Sequence, residues 1–498
     1  MRKFLTVLGI IVLLLVSIPV ALIATGTIDP TSLRMVLNVM VGAEGPTTDE
    51  ETARARYSLP DGFGLSVYAN DVPKARFMRF TEAGDLLLSR PHAGDILLLK
   101  RDANGDGKPD GKEVLLSDLK RPLGLVVDGS WLYVAESHQI GRVLIDIESG
   151  TLDGDYYPII EGLTDNGGHW SKTIGIGPDS MLYLAQGSTC NICDEEDARR
   201  ATMMRFNVDG SGGEIIATGL RNSVGFDWAP WDDALYATDN GRDLMGDDFP
   251  PCELNLIEPG KFYGWPYFNG DNVPDPDMGD DPQARTPTAP VHGFRAHNAP
   301  LGIAFLEGKD LPDDYRRTAL VALHGSWNRS SPDGYKVVSL HFSDEGIEER
   351  DFLAGFNSED GITGRPVDVA EGPDGAIYIS DDYAGAIYRV TYGDDASAGA
   401  SALDDLVATS RLDETPPEWL ASADLETLSM EGAALYAKHD CAACHERGEN
   451  PKMLIGLAER LGYNAIDEVL REPPSPMPVY PLSEEQRRAL SVYLLSRN

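Results

Sequence analysis

A short phrase recurs through the middle of the chain: a turn carrying Asp or Gly, then a run of apolar residues. It occurs at 82–89 (Glu-Ala-Gly-Asp-Leu-Leu-Leu-Ser), 127–134 (Val-Asp-Gly-Ser-Trp-Leu-Tyr-Val) and 177–184 (Gly-Pro-Asp-Ser-Met-Leu-Tyr-Leu). Further copies lie at 229–236 and 372–379, with a weaker one at 317–323. Short β-rich units spaced about 45 to 55 residues apart predict an all-β six-bladed β-propeller rather than a sandwich. Each unit can bury its faces only against its neighbours, so the ring must close. The stretch 58–68 is the expected outer strand that closes the last blade. On this pattern the propeller runs from about residue 55 to residue 392.

The chain has 498 residues, 42% of them hydrophobic, enough for a large core and a smaller second domain. A formal charge of −38 argues against a nucleic-acid partner. Met1-Arg2-Lys3 followed by an apolar run from Phe4 to Ala24 reads as an export signal. The length of the run favours an uncleaved anchor in the inner membrane, although Ala21 and Ala24 also suit cleavage. Either reading places the remainder in the periplasm or cell envelope. After the propeller, 393–402 is small and polar, and 393–424 reads as a linker.

Residues Cys441-Ala442-Ala443-Cys444-His445 spell the C-x-x-C-H signal for covalent haem c attachment. The two thiols would form thioether links, and His445 would ligate the iron. Met477, in a proline-rich run that forbids helix, is the expected sixth ligand, with Met453 the nearby competitor. Ser483 and Gln486 form a capping box before an apolar face of Ala489, Leu490, Tyr493 and Leu494. A second helix is expected over about 430–439. From about residue 425 to the end, the chain resembles a small class I cytochrome c, an all-α domain. Three cysteines remain, Cys190, Cys193 and Cys252. In an oxidising compartment a disulfide is expected, between Cys190 and Cys193 or from either of them to Cys252.

Residues 102–113 match the calcium-loop pattern D-x-N-x-D-G-x5-E. Asp102, Asn104, Asp106, the Lys108 carbonyl, Asp110 and Glu113 would supply hard oxygen ligands to a structural Ca²⁺. The flanking apolar runs read as strands, so this is not a helix–loop–helix sensor.

The segments between the repeats are more specific. They include Gly167-Gly168-His169-Trp170-Ser171-Lys172, Gly219-Leu220-Arg221-Asn222, Tyr263-Gly264-Trp265-Pro266, His324-Gly325-Ser326-Trp327-Asn328-Arg329 and Gly364-Arg365-Pro366-Val367. Over most of 58–392 the chain resembles the soluble quinoprotein sugar dehydrogenases that use pyrroloquinoline quinone (PQQ), nearest the sorbosone-dehydrogenase-like branch. The resemblance implies that His169 is the general base, suited to this by an imidazole pKa near working pH. It implies that Arg221 contacts the quinone oxygen where charge develops, with Asn222 a further cofactor contact. Gly241 and Arg242 would offer backbone carbonyls to a Ca²⁺ that polarises the quinone. Arg365 and Arg329 would bind PQQ carboxylates. There is a departure: the glucose enzymes orient the imidazole with an Asp, and Ser188 stands at that position here.

The function this implies is oxidation of a sugar or related polyol, with electrons leaving through the haem to a respiratory acceptor. Two alternatives fit a calcium-bearing propeller: a calcium-dependent lactonase, or a non-catalytic sugar- or partner-binding ring with an electron-carrier tail.

Overall fold

The computed structural model describes residues 45–281, 285–308, 311–358 and 361–393. In the C-terminal part it describes 425–439, Cys441, His445, 463–471, Pro473, Met477, Tyr480 and 482–495. The apolar run Phe4–Ala24, the linker segment 394–424, Met453 and Cys444 lie outside the described residues. Among those described, no helix is long and apolar enough to cross a membrane. The chain divides into two compact units, 1–396 and 397–498.

Each repeated phrase is the turn into, and the body of, the second strand of a blade. These strands are Leu86–Arg90, Trp131–Ala135, Leu182–Gln186, Leu235–Asp239, Thr318–Leu323 and Ile377–Asp381. Each lies in a sheet built on four antiparallel strands. The inner strands, beginning at Met78, Leu125, Lys172, Ser223, Pro300 and Pro366, each touch the next, and the sixth touches the first. The closing strand expected within 58–68 is observed at Phe63–Ala69, paired antiparallel with Ala386–Tyr392 of blade 6.

The apolar runs are continuous because both faces of a blade are covered. Leu86 and Leu88 enter the core shared with blade 6, while Leu87 between them enters the core shared with blade 2. That is the two-residue strand period applied to a sheet buried on both sides. Leu87→Ala would open a cavity there at a cost of about 2–5 kcal/mol.

The regular spacing breaks once. Between Cys252–Leu256 and His292–Phe294 of blade 4, the described residues 257–281 and 285–291 leave the sheet. Lys261–Phe262 adds a parallel strand to blade 3, and Phe268–Asn269 forms a hairpin with Val273–Pro274. This excursion carries Trp265, Asn269 and Gly270 to the candidate site.

In the C-terminal unit, helices Leu425–Lys438, Tyr463–Arg471 and Glu484–Leu495 surround a small core. Tyr436, Ile466, Leu470, Leu490 and Leu494 form that core, and Cys441 and Met477 pack against it. The capping box is closed both ways. Gln486 N donates to Ser483 Oγ at 3.3 Å, and Ser483 N donates to Gln486 Oε1 at 3.0 Å.

Candidate active site

In an antiparallel blade, successive connections alternate between the two ends of the sheet. Loops entering the inner strands and loops joining second to third strands therefore share one face of the ring. His169, Ser188, Arg221, Asn222, Gly241, Arg242, His324, Arg329 and Arg365 all belong to such loops. The fold thus gathers residues up to two hundred positions apart onto one rim.

His169 is half-buried, and its Nδ1 lies 2.8 Å from Ser188 Oγ. The Ser188 hydroxyl has one proton, and it donates that proton to the Cys190 carbonyl at 2.7 Å. Ser188 Oγ must then accept from Nδ1–H, which leaves the Nε2 lone pair as the free basic site. The serine therefore fixes the tautomer of His169. It does not stabilise an imidazolium. Burial first, then the Arg221 and Arg200 charges, lower the His169 pKa to about 3. The ring is therefore held in its neutral form, with Nε2 free to accept a hydrogen bond.

Gly187 is a signal that sequence reasoning missed. A Cβ there would meet Asn222 Oδ1 at 2.5 Å and the His169 Cβ at 2.8 Å. Only glycine lets His169 and Asn222 stand side by side. Asn222 Oδ1 is itself buried without a partner, an acceptor held ready for a donor from outside the chain.

Arg221, 4% exposed, is locked by three neighbours. Its Nη2 donates to Asn191 Oδ1 at 2.7 Å and pairs with Asp243 Oδ2 at 2.8 Å. Nη1 reaches the Asn240 carbonyl at 3.0 Å, and Nε the Asn191 carbonyl at 3.1 Å. One Nη1 proton is left to face a ligand. Asn191 lies inside the Cys190–Cys193 disulfide, and Cys252 is a buried free thiol. The disulfide loop thus serves both His169, through the Cys190 carbonyl, and Arg221.

Asp239 and Glu253 were also missed. They face each other across strands of blade 4 and line a cavity of about 20 Å³ with Gly241, Arg242 and Asn269. That is room for one water- or ion-sized occupant. Burial raises both carboxyl pKa values, and the charge of Asp239 raises Glu253 further. Two buried acids at one cavity match what a hard divalent cation requires, so Ca²⁺ fits here. The Arg242 side chain points elsewhere, forking onto Asp275 at 2.6 and 2.5 Å.

Arg365 is held by His324, whose carbonyl accepts from Nε at 3.3 Å and whose Nδ1 accepts from Nη2 at 2.8 Å. His324 Nε2 in turn donates to Asp382 Oδ1 at 3.0 Å, and Asp382 also pairs with Arg76 at 2.7 Å. Nη1 of Arg365 has no protein partner among these bonds, so the fork remains able to take a carboxylate.

Two of the expected residues also have partners within the chain. Arg329 is a latch between loops: Nη1 donates to the Asp247 and Ala296 carbonyls, and Nη2 meets Asp248 at 3.2 Å. Its Nε is buried without a protein partner. Glu113 sits on the strand that follows the 102–110 turn and pairs with Lys100 at 2.7 Å. Asp102, Asn104, Asp106 and Asp110 accept from amides within the turn itself, including Gly105, Gly107, Asp106 and Lys108.

Together these features define a closed six-bladed propeller with one polar, cation-rich face built around a tautomer-locked histidine. Residues 158–389 match the family model described as glucose/sorbosone dehydrogenase. An uncharacterised protein of Borreliella burgdorferi is 40% identical over 379 residues, covering 73% of this chain and 96% of that protein. The chain belongs to the glucose/sorbosone dehydrogenase family. Aldose sugar dehydrogenase YliI of Escherichia coli is 27% identical over 289 residues, 52% of this chain and 72% of its own. The pyrroloquinoline quinone-dependent pyranose dehydrogenase of Coprinopsis cinerea is 24% identical over 334 residues, 57% of this chain and 45% of its own. The solved PQQ domain of the pyranose dehydrogenase from that organism superposes with TM-score 0.56 at 23% identity, covering 68% of this chain and 97% of that one. That likeness speaks for the fold.

Proposed function

We propose that this chain is an exported, PQQ- and Ca²⁺-dependent dehydrogenase of a sugar or related polyol, of the aldose or sorbosone type, with a haem c in its C-terminal unit. The observation that carries this reading is His169, locked as the Nδ1–H tautomer with Nε2 free. Its family relatives include a PQQ-dependent pyranose dehydrogenase and an aldose sugar dehydrogenase. The Cys190–Cys193 disulfide supports an oxidising compartment.

PQQ supplies an acceptor for the hydride of the substrate carbon, with Ca²⁺ polarising its carbonyl. The groups that suit it are the free Nη1 proton of Arg221, the orphaned Asn222 Oδ1 and the open fork of Arg365. Asp239, Glu253 and the backbone of Gly241 and Arg242 are the candidate Ca²⁺ holders. His169 Nε2 takes the substrate hydroxyl proton. An anionic occupant beside Arg221 offsets the charge that depresses His169 and brings its basicity closer to working pH.

In the C-terminal unit, Cys441 and Met477 already share one apolar core, as thioether attachment and sulfur ligation require. A haem there would take thioether links from Cys441 and Cys444, with His445 and Met477 as iron ligands, and would supply a one-electron outlet to a respiratory acceptor.

The test follows haem absorbance anaerobically while PQQ, Ca²⁺ and a panel of aldoses and polyols are added. Haem reduction that needs all three supports the whole reading. Dye turnover without haem reduction removes the relay and keeps the dehydrogenase. Silence in both assays overturns it in favour of a lactonase or binding ring.

A further inference from the structure

Arg200 is 2% exposed and stands just before the third strand of blade 3. Its Nη2 donates to the carbonyls of His169 and Ser188, each at 2.8 Å. Its Nη1 donates to the Thr164 carbonyl at 2.5 Å. One guanidinium therefore grips the backbone of both members of the His169–Ser188 pair, which come from two different loops. Among the described residues no carboxylate forms an ion pair with it. Asp197 pairs with Arg199 at 2.8 Å, and Glu195 accepts from the Thr189 amide at 2.6 Å. A buried cation held by carbonyls alone is costly, and the fold retains it directly behind the candidate base.

We propose that Arg200 is a positioning residue for His169: its clamp on the His169 and Ser188 carbonyls keeps Nδ1 on Ser188 and turns Nε2 toward substrate. The inference rests on the reading of His169 as the base. It adds an element the resemblance does not supply, a buried cation that holds the backbone of both His169 and Ser188. The charges acting on the imidazole are Arg221, from the loop before blade 4, and Arg200 behind it; Lys172 lies on the strand that follows. Lys172 is bound to the Thr164 and Trp170 carbonyls at 3.2 and 3.1 Å. With no carboxylate at the ring, the Arg200 charge disfavours imidazolium, and its removal makes His169 easier to protonate.

The experiment uses the full chain with ¹⁵N-labelled histidine, before any cofactor is added, and assigns His169 by its loss in His169→Gln. In the native protein the His169 nitrogens should report the Nδ1–H tautomer at pH 7. Arg200→Met should give averaged tautomers. In the PQQ-loaded protein it should also move the acid limb of kcat/KM upward by about one pH unit. Arg200→Lys keeps the charge and loses the fork. It should leave the acid limb in place and lower kcat about 10- to 100-fold, with KM little changed. A native tautomer and native kcat in folded Arg200→Lys would overturn the proposal, and that variant decides the matter if Arg200→Met does not fold. If His169→Gln keeps full turnover, the functional reading falls, while the tautomer measurement still decides whether Arg200 orients His169.

Discussion

Two acid-rich loops sit on opposite faces of the ring, 102–113 in blade 1 and 187–201 in blade 3. The first follows a metal-loop pattern closely and carries the sharper sequence signal. Yet its carboxylates are satisfied by the amides of their own turn, and most of it is exposed. The second has only a C-x-x-C to mark it. It nevertheless touches every element of the candidate base: Ser188 Oγ, the Cys190 carbonyl, Asn191 and Arg200. Polar residues that bond locally can stabilise a turn, whereas polar residues that bond across loops can assemble a site. Sequence pattern reads the first kind more easily.

That contrast can be broken or sharpened by experiment. The largest effect should come from His169→Gln, which removes the free Nε2 while leaving the cofactor contacts in place. Turnover should fall about 10²- to 10⁴-fold with PQQ binding retained by titration; native turnover would remove the blade 3 loop from catalysis. Next, Cys190→Ser with Cys193→Ser frees the Cys190 carbonyl and Asn191 together. It should reduce kcat about tenfold or more by loosening His169 and Arg221, and native kcat in a folded double variant would make the clasp irrelevant to the base.

A smaller change should follow from Glu253→Gln, read as the Ca²⁺-induced rise in Tm. Wild type should gain several degrees with saturating Ca²⁺, as a bound ligand stabilises by mass action. The variant should gain little, since half the acid pair has become neutral, and an undiminished gain would move the Ca²⁺ elsewhere. Asp102→Ala should cost about 1–2 kcal/mol in denaturant unfolding, because several amides of the turn lose their acceptor. It should leave turnover unchanged; lost turnover would mean that the blade 1 loop reaches the site after all.

The pH dependence of stability gives the finest distinction. The His169 pKa is lowered in the fold from an ordinary value near 6.5 to about 3. Between those values the unfolded chain binds the proton that the folded chain refuses. Stability therefore falls as pH drops through that window, and is unaffected above it. His169→Gln should flatten this acid loss, as melting curves at pH 4 and pH 7 would show. An equal loss in both proteins would place the sensitivity outside the site.

Much of the architecture was legible. The recurrent turn and apolar run marked the second strand of every blade, since a sheet buried on both faces needs apolar residues at successive positions. The Ser483–Gln486 capping box was legible because both partners lie within one turn of helix. The excursion 257–291 was not, because it breaks the period and pairs with a neighbouring blade. Nor were Asp239 and Glu253, which look like ordinary strand acids until their strands are paired. The partners of Arg329 and Glu113, at 247, 248, 296 and 100, were likewise invisible to local pattern.

By itself, the sequence determined the ring, its closing strand and the identity of the candidate base, since these depend on local period and on motif. The tertiary structure alone decided the tautomer of that base, the clamp behind it and the pairing of two acids around one cavity. Those depend on which loops meet on the same face. Hydrogen bonds a few ångströms long between segments tens of residues apart leave no trace in local order.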